Sequence, residues 1–156
     1  MLYLCASPTK KFIFSSSQQL NEGDFVCLEY STLHNREKQS IFKILEGIDK
    51  KDPFEIRALM ATELPDAKII DVFRRSIVSS DFIRECFDPT IYSVSLGQNT
   101  DRAYDFRGYG NFEGKELVVV ETEYRYLIGK IIEEKEQTSY DGELKEIICS
   151  VKSRRV

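Results

Sequence analysis

The stretch Glu22-Gly23-Asp24-Phe25-Val26-Cys27-Leu28-Glu29-Tyr30 decides the fold, because its pattern occurs twice in the chain. In the first copy a glycine turn leads into this apolar strand, and a second apolar run follows at residues 41–48 after a polar break. In the second copy Glu113-Gly114-Lys115 precedes apolar runs at residues 117–121 and 127–133. Turn, strand, loop and strand is the pattern of a small β-barrel or half-barrel. The repeat therefore predicts a barrel-like core made of two related strand pairs.

The composition is typical of one globular domain. The chain has 156 residues, of which 42% are hydrophobic and 31% charged, and a chain of this length can bury a core without covalent staples. No apolar run approaches the ~20 residues of a membrane-spanning helix, and the short apolar start at residues 1–6 lacks a preceding basic residue. We therefore expect a single cytoplasmic domain, residues 1–156, that does not bind membranes.

Four cysteines, Cys5, Cys27, Cys86 and Cys149, are scattered without short spacings. Cys27 and Cys149 lie inside apolar, strand-like runs, where a free thiol behaves as a small hydrophobe. A zinc site needs closely spaced ligands, and His34 is the only histidine of the sequence. We therefore predict reduced thiols, no bound metal and no cofactor.

The middle of the chain, residues 52–88, is predicted to be a short helical insertion. Asp52-Pro53-Phe54-Glu55 has an N-cap, a proline at the first helical position and an acid in the first turn. Residues 67–77 fit either a helix or a strand. Ser79-Ser80-Asp81 is typical of the start of another short helix, which ends at Asp88-Pro89.

The C-terminal half returns to strand patterns. A clean alternation predicts a strand at residues 90–96, and a long loop rich in glycine, asparagine, aspartate and arginine follows at 97–114. Strands at 117–123, 126–134 and 144–151 are predicted to form a β-meander, with Tyr140-Asp141-Gly142-Glu143 as a tight hairpin. The predicted fold class is thus α+β, with a barrel-like core, a C-terminal meander and a helical insertion.

The predicted partner-binding residues lie in the long loop and in the basic tail, residues 152–156. Aromatic side chains interleaved with arginines stack on bases or on the side chains of a protein partner. Alternatively, the aromatics cover the open end of the sheet and the tail is a solvated terminus. The predicted binding residues are Arg102, Tyr104, Phe106, Arg107, Tyr109, Phe112, Lys152, Arg154 and Arg155.

Two alternative functions stay open. The first is a small metal-dependent nuclease-like enzyme that would use Asp66, Glu121 and Glu123, since such enzymes surround Mg²⁺ with carboxylates and a lysine. Tyr124-Arg125 stands where that lysine is required, however, and alternating acids are commonly the solvent face of a strand. The other alternative is a single-strand nucleic-acid binder, which the net charge of −4 disfavours because phosphate binding needs clustered Lys and Arg.

The first copy of the repeat, together with residues 41–48 and Lys50-Lys51-Asp52-Pro53-Phe54, resembles the HAS-barrel. That family is the small β-barrel at the amino terminus of hexameric DNA-translocating ATPases and of ATP-synthase subunits. Residues 114–121 and Leu127-Ile128-Gly129-Lys130-Ile131-Ile132 are similar to the same signature. The ATPase domain has no counterpart in this sequence, so the resemblance implies no ATP chemistry.

What the resemblance implies is a docking module in a larger assembly. We therefore expect a non-catalytic binding or assembly module that docks on a protein partner, within a complex that processes nucleic acid. Nucleic acid is the second class of partner, and no pattern indicates an oligomeric state.

Overall fold

The computed structural model describes residues 1–32, 37–73, 88–96, 102–109 and 112–151. Strands account for more than half of these residues, and one short helix accompanies them. The chain divides into two compact units: unit 1 comprises mainly Met1–Arg74 and Glu123–Tyr126, and unit 2 mainly Arg75–Thr122 and Leu127–Arg154. The β-rich character predicted from the sequence is therefore confirmed, whereas the assignment to a single domain stays a prediction.

Unit 1 is a mixed, open sheet in the order β6-β3-β4-β1-β2-β5. All neighbours are antiparallel except β2 and β5, which are parallel. Tyr126 belongs to this unit, where it pairs with Ile41 of β4. The strands are β1 Leu2–Ala6, β2 Lys11–Ser15, β3 Phe25–Ser31, β4 Glu37–Gly47, β5 Thr62–Glu63 and β6 Lys68–Phe73.

The two faces of the unit 1 sheet bury different apolar groups, as the alternation of side chains along a strand requires. One face holds the main core, in which Tyr3, Phe14 and Val26 pack with residues of the neighbouring strands. The opposite face holds the buried side chains Leu4, Ile13 and Ile48.

Helix α1, Pro53–Ala58, covers this second face. The Asp52 carboxylate accepts a hydrogen bond from the backbone N–H of Glu55 at 2.8 Å, and Pro53 takes the first helical position, as predicted. Ile56 and Leu59 pack against the cluster formed by Leu4, Ile13 and Ile48. The helix is therefore stabilised by packing one of its sides on an apolar face of the sheet.

Unit 2 repeats the strand order of unit 1, as β11-β9-β10-β7-β8. Its ladders are antiparallel, and a single parallel bridge joins Arg107 to Glu146. Val94, Phe106, Val118 and Ile131 form its core. The strands are β7 Thr90–Leu96, β8 Ala103–Gly108, β9 Leu117–Glu121, β10 Tyr126–Lys135 and β11 Ile147–Ser150.

The turns before β3 and β9 show that the two units are copies of one pattern. In unit 1, Ile44 accepts a hydrogen bond from Gly23 N–H and donates one to the carbonyl of Asp24. In unit 2, Ile131 makes the same two hydrogen bonds, with Lys115 and Glu116. In each unit, two consecutive residues of the turn therefore lie opposite one residue of the neighbouring strand. This is a β-bulge, and its first residue has a left-handed backbone conformation.

A buried tyrosine holds each of these turns. The hydroxyl of Tyr3 accepts a hydrogen bond from Leu20 N–H at 3.0 Å, and that of Tyr92 accepts one from Phe112 N–H at 3.5 Å. Each tyrosine lies on the first strand of its unit. The duplication thus includes side-chain contacts as well as strand order.

The repeat predicted from the sequence is displaced by one residue in its second copy. The left-handed residue is Gly23 in unit 1, with φ +90°, and Lys115 in unit 2, with φ +67°. Gly114, which the sequence aligned with Gly23, has no positive φ. The structural partner of Gly23 is therefore Lys115.

Several predicted elements are wrong in detail. The two strand pairs belong to different units, and no ladder among the described strands closes either sheet, so the predicted shared barrel is wrong. The loop predicted at 97–114 contains strand β8, whose residues Tyr104 and Phe106 alternate with polar ones. Within the predicted insertion 52–88, residues 68–73 form a strand, and the helix predicted after Ser79 lies outside the described residues.

The predicted meander and its Asp-Gly hairpin are also wrong, because β11 pairs with β9 rather than with β10. The connection at 136–145 is held against β8 instead. Thr138 Oγ1 donates a hydrogen bond to Asp105 at 2.6 Å, and Arg107 N–H donates one to the carbonyl of Lys145 at 2.9 Å. These contacts carry the chain past β10 to the far side of β9.

No helix in the described part of the chain has the length and apolarity needed to cross a lipid bilayer.

Candidate partner-binding site

The aromatic residues of the predicted loop divide between core and surface. Phe106 is buried in the unit 2 core, and Phe112 packs against that core with its ring centroid 5.4 Å from that of Tyr92. Tyr109 is half-buried and Tyr104 is exposed. Phe106 is thus a core residue within strand β8, and Phe112 packs against that core.

The predicted arginines are separated as well. Arg102 is exposed, whereas Arg107 lies on β8 and its guanidinium forms an ion pair with Glu143 at 3.1 Å. This contact helps to hold the connection at 136–145. Lys152, Arg154 and Arg155 lie outside the described residues.

The acids of the alternative enzyme do not form a metal site. Asp66 is an exposed turn residue with φ +54° that belongs to unit 1, whereas Glu121 ends strand β9 of unit 2. Across residues 1–32, 37–73, 88–96, 102–109 and 112–151, no group of three or more His, Cys, Asp or Glu side chains could hold a metal ion.

A cluster of exposed apolar side chains lies on the outer side of β9 and β10. Leu117 is 48% exposed, Ile128 40% and Ile132 45%. The hydrogen bonds of Ile131 with residues 115 and 116 place Leu117 opposite the exposed Lys130. We name the surface formed by Leu117, Ile128, Lys130 and Ile132 the β10 face.

Unit 1 has the same positions, and there they are covered. Phe25 follows the first bulge as Leu117 follows the second, and its buried ring lies 4.9 Å from that of Tyr126. Leu45 is the counterpart of Ile132. The register of β4 against β1 shifts at Leu45, and the register of β10 against β7 shifts at Ile132. Leu45 packs in the cluster under α1. Apolar side chains that unit 1 shields are therefore exposed in unit 2.

The β7–β8 side of unit 2 is polar where the corresponding side of unit 1, under α1, is apolar. Where unit 1 has Leu4, Ile13 and Ile48, the ladders of unit 2 place Ser93, Asp105 and Lys135. Lys135 Nζ lies 3.2 Å from both oxygens of Asp105, which also accepts the hydrogen bond of Thr138. An apolar helix would gain little against this ion pair.

The two described cysteines of unit 1 have raised thiol pKa values. Burial raises the pKa of the Cys5 thiol to about 12, and burial followed by the charges of Asp71 and Glu29 raises the pKa of Cys27. A thiol with a raised pKa is a poor nucleophile at neutral pH. The neighbouring carboxyl of Glu37 raises the pKa of Glu29, first through a hydrogen bond and then through its like charge.

No protein-family model, no curated protein and no solved structure matches this chain.

Sequence reasoning missed the β10 face because its residues have the composition of a buried strand. Ile128 and Ile132 stand in the run Leu127-Ile128-Gly129-Lys130-Ile131-Ile132, in which apolar residues occupy both sides of the strand. Such a run is typical of a strand covered on both faces. The available signal was Lys130, whose charge marks the outer side.

Proposed function

We propose that this protein is a non-catalytic assembly module that binds a protein partner through the β10 face. The observation that carries the proposal is the exposure of Leu117, Ile128 and Ile132 at positions whose counterparts in unit 1 are shielded. Contiguous exposed apolar side chains around a charged residue are typical of protein-binding surfaces. The partner is expected to present an apolar surface with an acidic residue that meets Lys130.

The resemblance to the HAS-barrel supports this proposal. In each unit the turn and strand pair of the resemblance have the same hydrogen bonds, so we infer that each unit is a barrel-like docking module. The complex that processes nucleic acid remains the proposed setting, with the protein partner rather than the nucleic acid in contact with the β10 face.

Site-specific photo-crosslinking in an extract of the native cell tests the proposal. A photo-reactive amino acid at position 132 is compared with one at Lys10, which is exposed at the turn between β1 and β2. We expect a protein adduct from position 132 and none from position 10. Adding Ile128→Ser should lower the yield of the adduct about tenfold, as the loss of a central apolar contact does.

Equal yields from positions 132 and 10, or no adduct from either, would refute a role for the β10 face. The Ile128→Ser variant is checked by circular dichroism. Since Ile128 is 40% exposed, its replacement should leave the fold intact.

A further inference from the structure

Helix α1 has a second, outward side that carries exposed large apolar residues. Phe54 is 80% exposed and Met60, just past the end of the helix, is 90% exposed. Ala58 lies one turn after Phe54 and is exposed as well. We name Phe54, Ala58 and Met60 the α1 patch. The opposite side of the helix, with Ile56 and Leu59, already packs on unit 1.

Met60 occupies a backbone position that the fold itself would give to glycine. It is the residue after the cap of α1 and has φ +53°, in the left-handed region where a side chain is strained. Its side chain is almost fully exposed, so no packing within the chain compensates for the strain. A residue that breaks a local rule without stabilising the fold is expected at a functional site.

We propose that the β10 face binds the α1 patch of a second copy of this chain, so that copies associate head to tail. The inference rests on the proposed function, since it names the partner of the same face. Apolar residues occur on both surfaces, and the exposed Glu55 beside Phe54 supplies the acid that meets Lys130. In the same chain a carboxylate oxygen of Glu55 lies 3.9 Å from Lys51 Nζ, and such a partly exposed ion pair costs little to break.

The α1 patch is somewhat shorter than the β10 face. Phe54 and Met60 are separated by six residues of helix and cap, or ~9 Å along the axis. Ile128 and Ile132 are separated by four residues of strand, or ~13 Å. Phe54 can therefore pack near one of the two isoleucines while Glu55, the next residue, approaches Lys130, which lies two residues along the strand from that isoleucine.

Unit 1 already contains a contact between helix α1 and a sheet face. There the side of α1 with Ile56 and Leu59 packs on the sheet face that includes Leu45, the counterpart of Ile132. In the head-to-tail contact the other side of α1 packs on the second unit of the next copy. Because the two surfaces differ, every copy offers one of each, and the contact can repeat from copy to copy in a closed or an open assembly.

Sedimentation equilibrium of the full-length chain, from about 1 μM to about 1 mM, tests the inference with two variants. The first, Phe54→Ser with Met60→Gly, removes the α1 patch, and the second, Ile128→Ser with Ile132→Ser, removes the β10 face. We expect the average mass of the wild type to rise with concentration. Each variant alone should stay monomeric, and an equimolar mixture should form a two-chain species and nothing larger.

Two matched changes separate binding from folding. Met60→Gly alone should raise the thermal unfolding midpoint, because glycine adopts the left-handed conformation without strain, and should still weaken association about tenfold. Lys130→Glu should weaken association, and adding Glu55→Lys should restore it. Both charged residues are exposed, so this pair remains informative even if the serine variants fail to fold.

A wild type that stays monomeric throughout, variants that associate like the wild type, or a mixture that stays monomeric would each overturn the inference. The cross-link at position 132 distinguishes this result from failure of the proposed function. An adduct with a different protein, which persists in the α1 variant, would leave the β10 face as a docking site but for another partner. An adduct between two copies that the α1 variant abolishes supports head-to-tail association.

Discussion

At the residue scale, the left-handed position shared by Gly23 and Lys115 shows where sequence reasoning succeeds and where it fails. The turn before β9 was predicted, but its left-handed residue was assigned to Gly114, since glycine is the residue that adopts positive φ without cost. The structure assigns that conformation to Lys115, which adopts it with φ +67° because the hydrogen bonds of the bulge hold the turn. A lysine gives no sequence signal for such a position.

Lys115→Gly should raise the free energy of unfolding by about 1 kcal/mol, because it removes the strain of a side chain in the left-handed region. The matched control is Gly114→Ala. An added Cβ would meet no atom within 4 Å there and φ is not positive, so this change should also stabilise, by about 0.5 kcal/mol. Urea denaturation measures both. If Gly114→Ala destabilised the protein, Gly114 would be the left-handed residue after all.

The pair Glu29 and Glu37 predicts a pH dependence. Since the folded pKa of Glu29 is raised, the folded state binds more protons than the unfolded state above the ordinary carboxyl pKa of 4.5. The pair therefore lowers stability as the pH rises from that value through the folded pKa. Glu37→Gln removes the repelling charge, so the pKa of Glu29 should fall, as followed by carboxyl-carbon NMR. An unchanged pKa of Glu29 would show that burial, not Glu37, raises it.

At the scale of elements, strand β8 could have been found from the sequence, whereas the pairing of β11 could not. Tyr104 and Phe106 alternate with Asp105 and Arg107, which is a strand pattern hidden among loop-forming residues. The Asp-Gly pair at residues 141–142 favours a hairpin, and only the contacts of Asp105 with Thr138 and Lys135 show why the chain continues past it.

The ion pair of Asp105 and Lys135 occupies the positions that Ile13 and Ile48 occupy in unit 1. Removing one partner, as in Asp105→Ala, should lower the free energy of unfolding by about 2 kcal/mol, because it leaves a partly buried ammonium and the Thr138 hydroxyl without their acceptor.

Replacing both partners, as in Asp105→Ile with Lys135→Ile, should recover most of that loss, because unit 1 shows that the fold accepts apolar residues there. Chemical denaturation of the single and double variants measures the difference. If the double variant were less stable than Asp105→Ala, the fold of unit 2 would require the polar groups at these positions and would not accept apolar residues there.

At the scale of the whole molecule, the repeat was visible in the sequence but its consequence was not. The sequence showed two strand pairs and no boundary between them, and the simplest arrangement was a single core. In the structure, each strand pair instead belongs to a unit that begins with its own hairpin. This hairpin is β1 with β2 in unit 1 and β7 with β8 in unit 2. Periodicity identifies strands, whereas the choice of partner depends on contacts between residues far apart in the chain.

Because Tyr3 and Tyr92 belong to different units, we expect the energetic effects of changing them to be additive. Tyr3→Phe removes the hydroxyl that holds Leu20, and Tyr92→Phe the one that holds Phe112. Each should lower the free energy of unfolding by about 1 kcal/mol. The hydroxyl of Tyr3 also donates a hydrogen bond to the carbonyl of Gln18 at 2.9 Å. The double variant should equal the sum within about 0.5 kcal/mol. A clear departure from the sum would mean that the two hydroxyls act through shared contacts.

The aliphatic residues exposed in unit 2 permit a division of roles between the duplicated halves. In unit 1, helix α1 seals the apolar layer formed by Leu4, Ile13 and Ile48, and this layer contributes to stability. In unit 2 the corresponding layer is partly polar, and the exposed aliphatic residues can change during evolution to suit a binding partner. Duplication of a small fold thus provides a second sheet whose binding specificity can change without loss of stability in the first sheet.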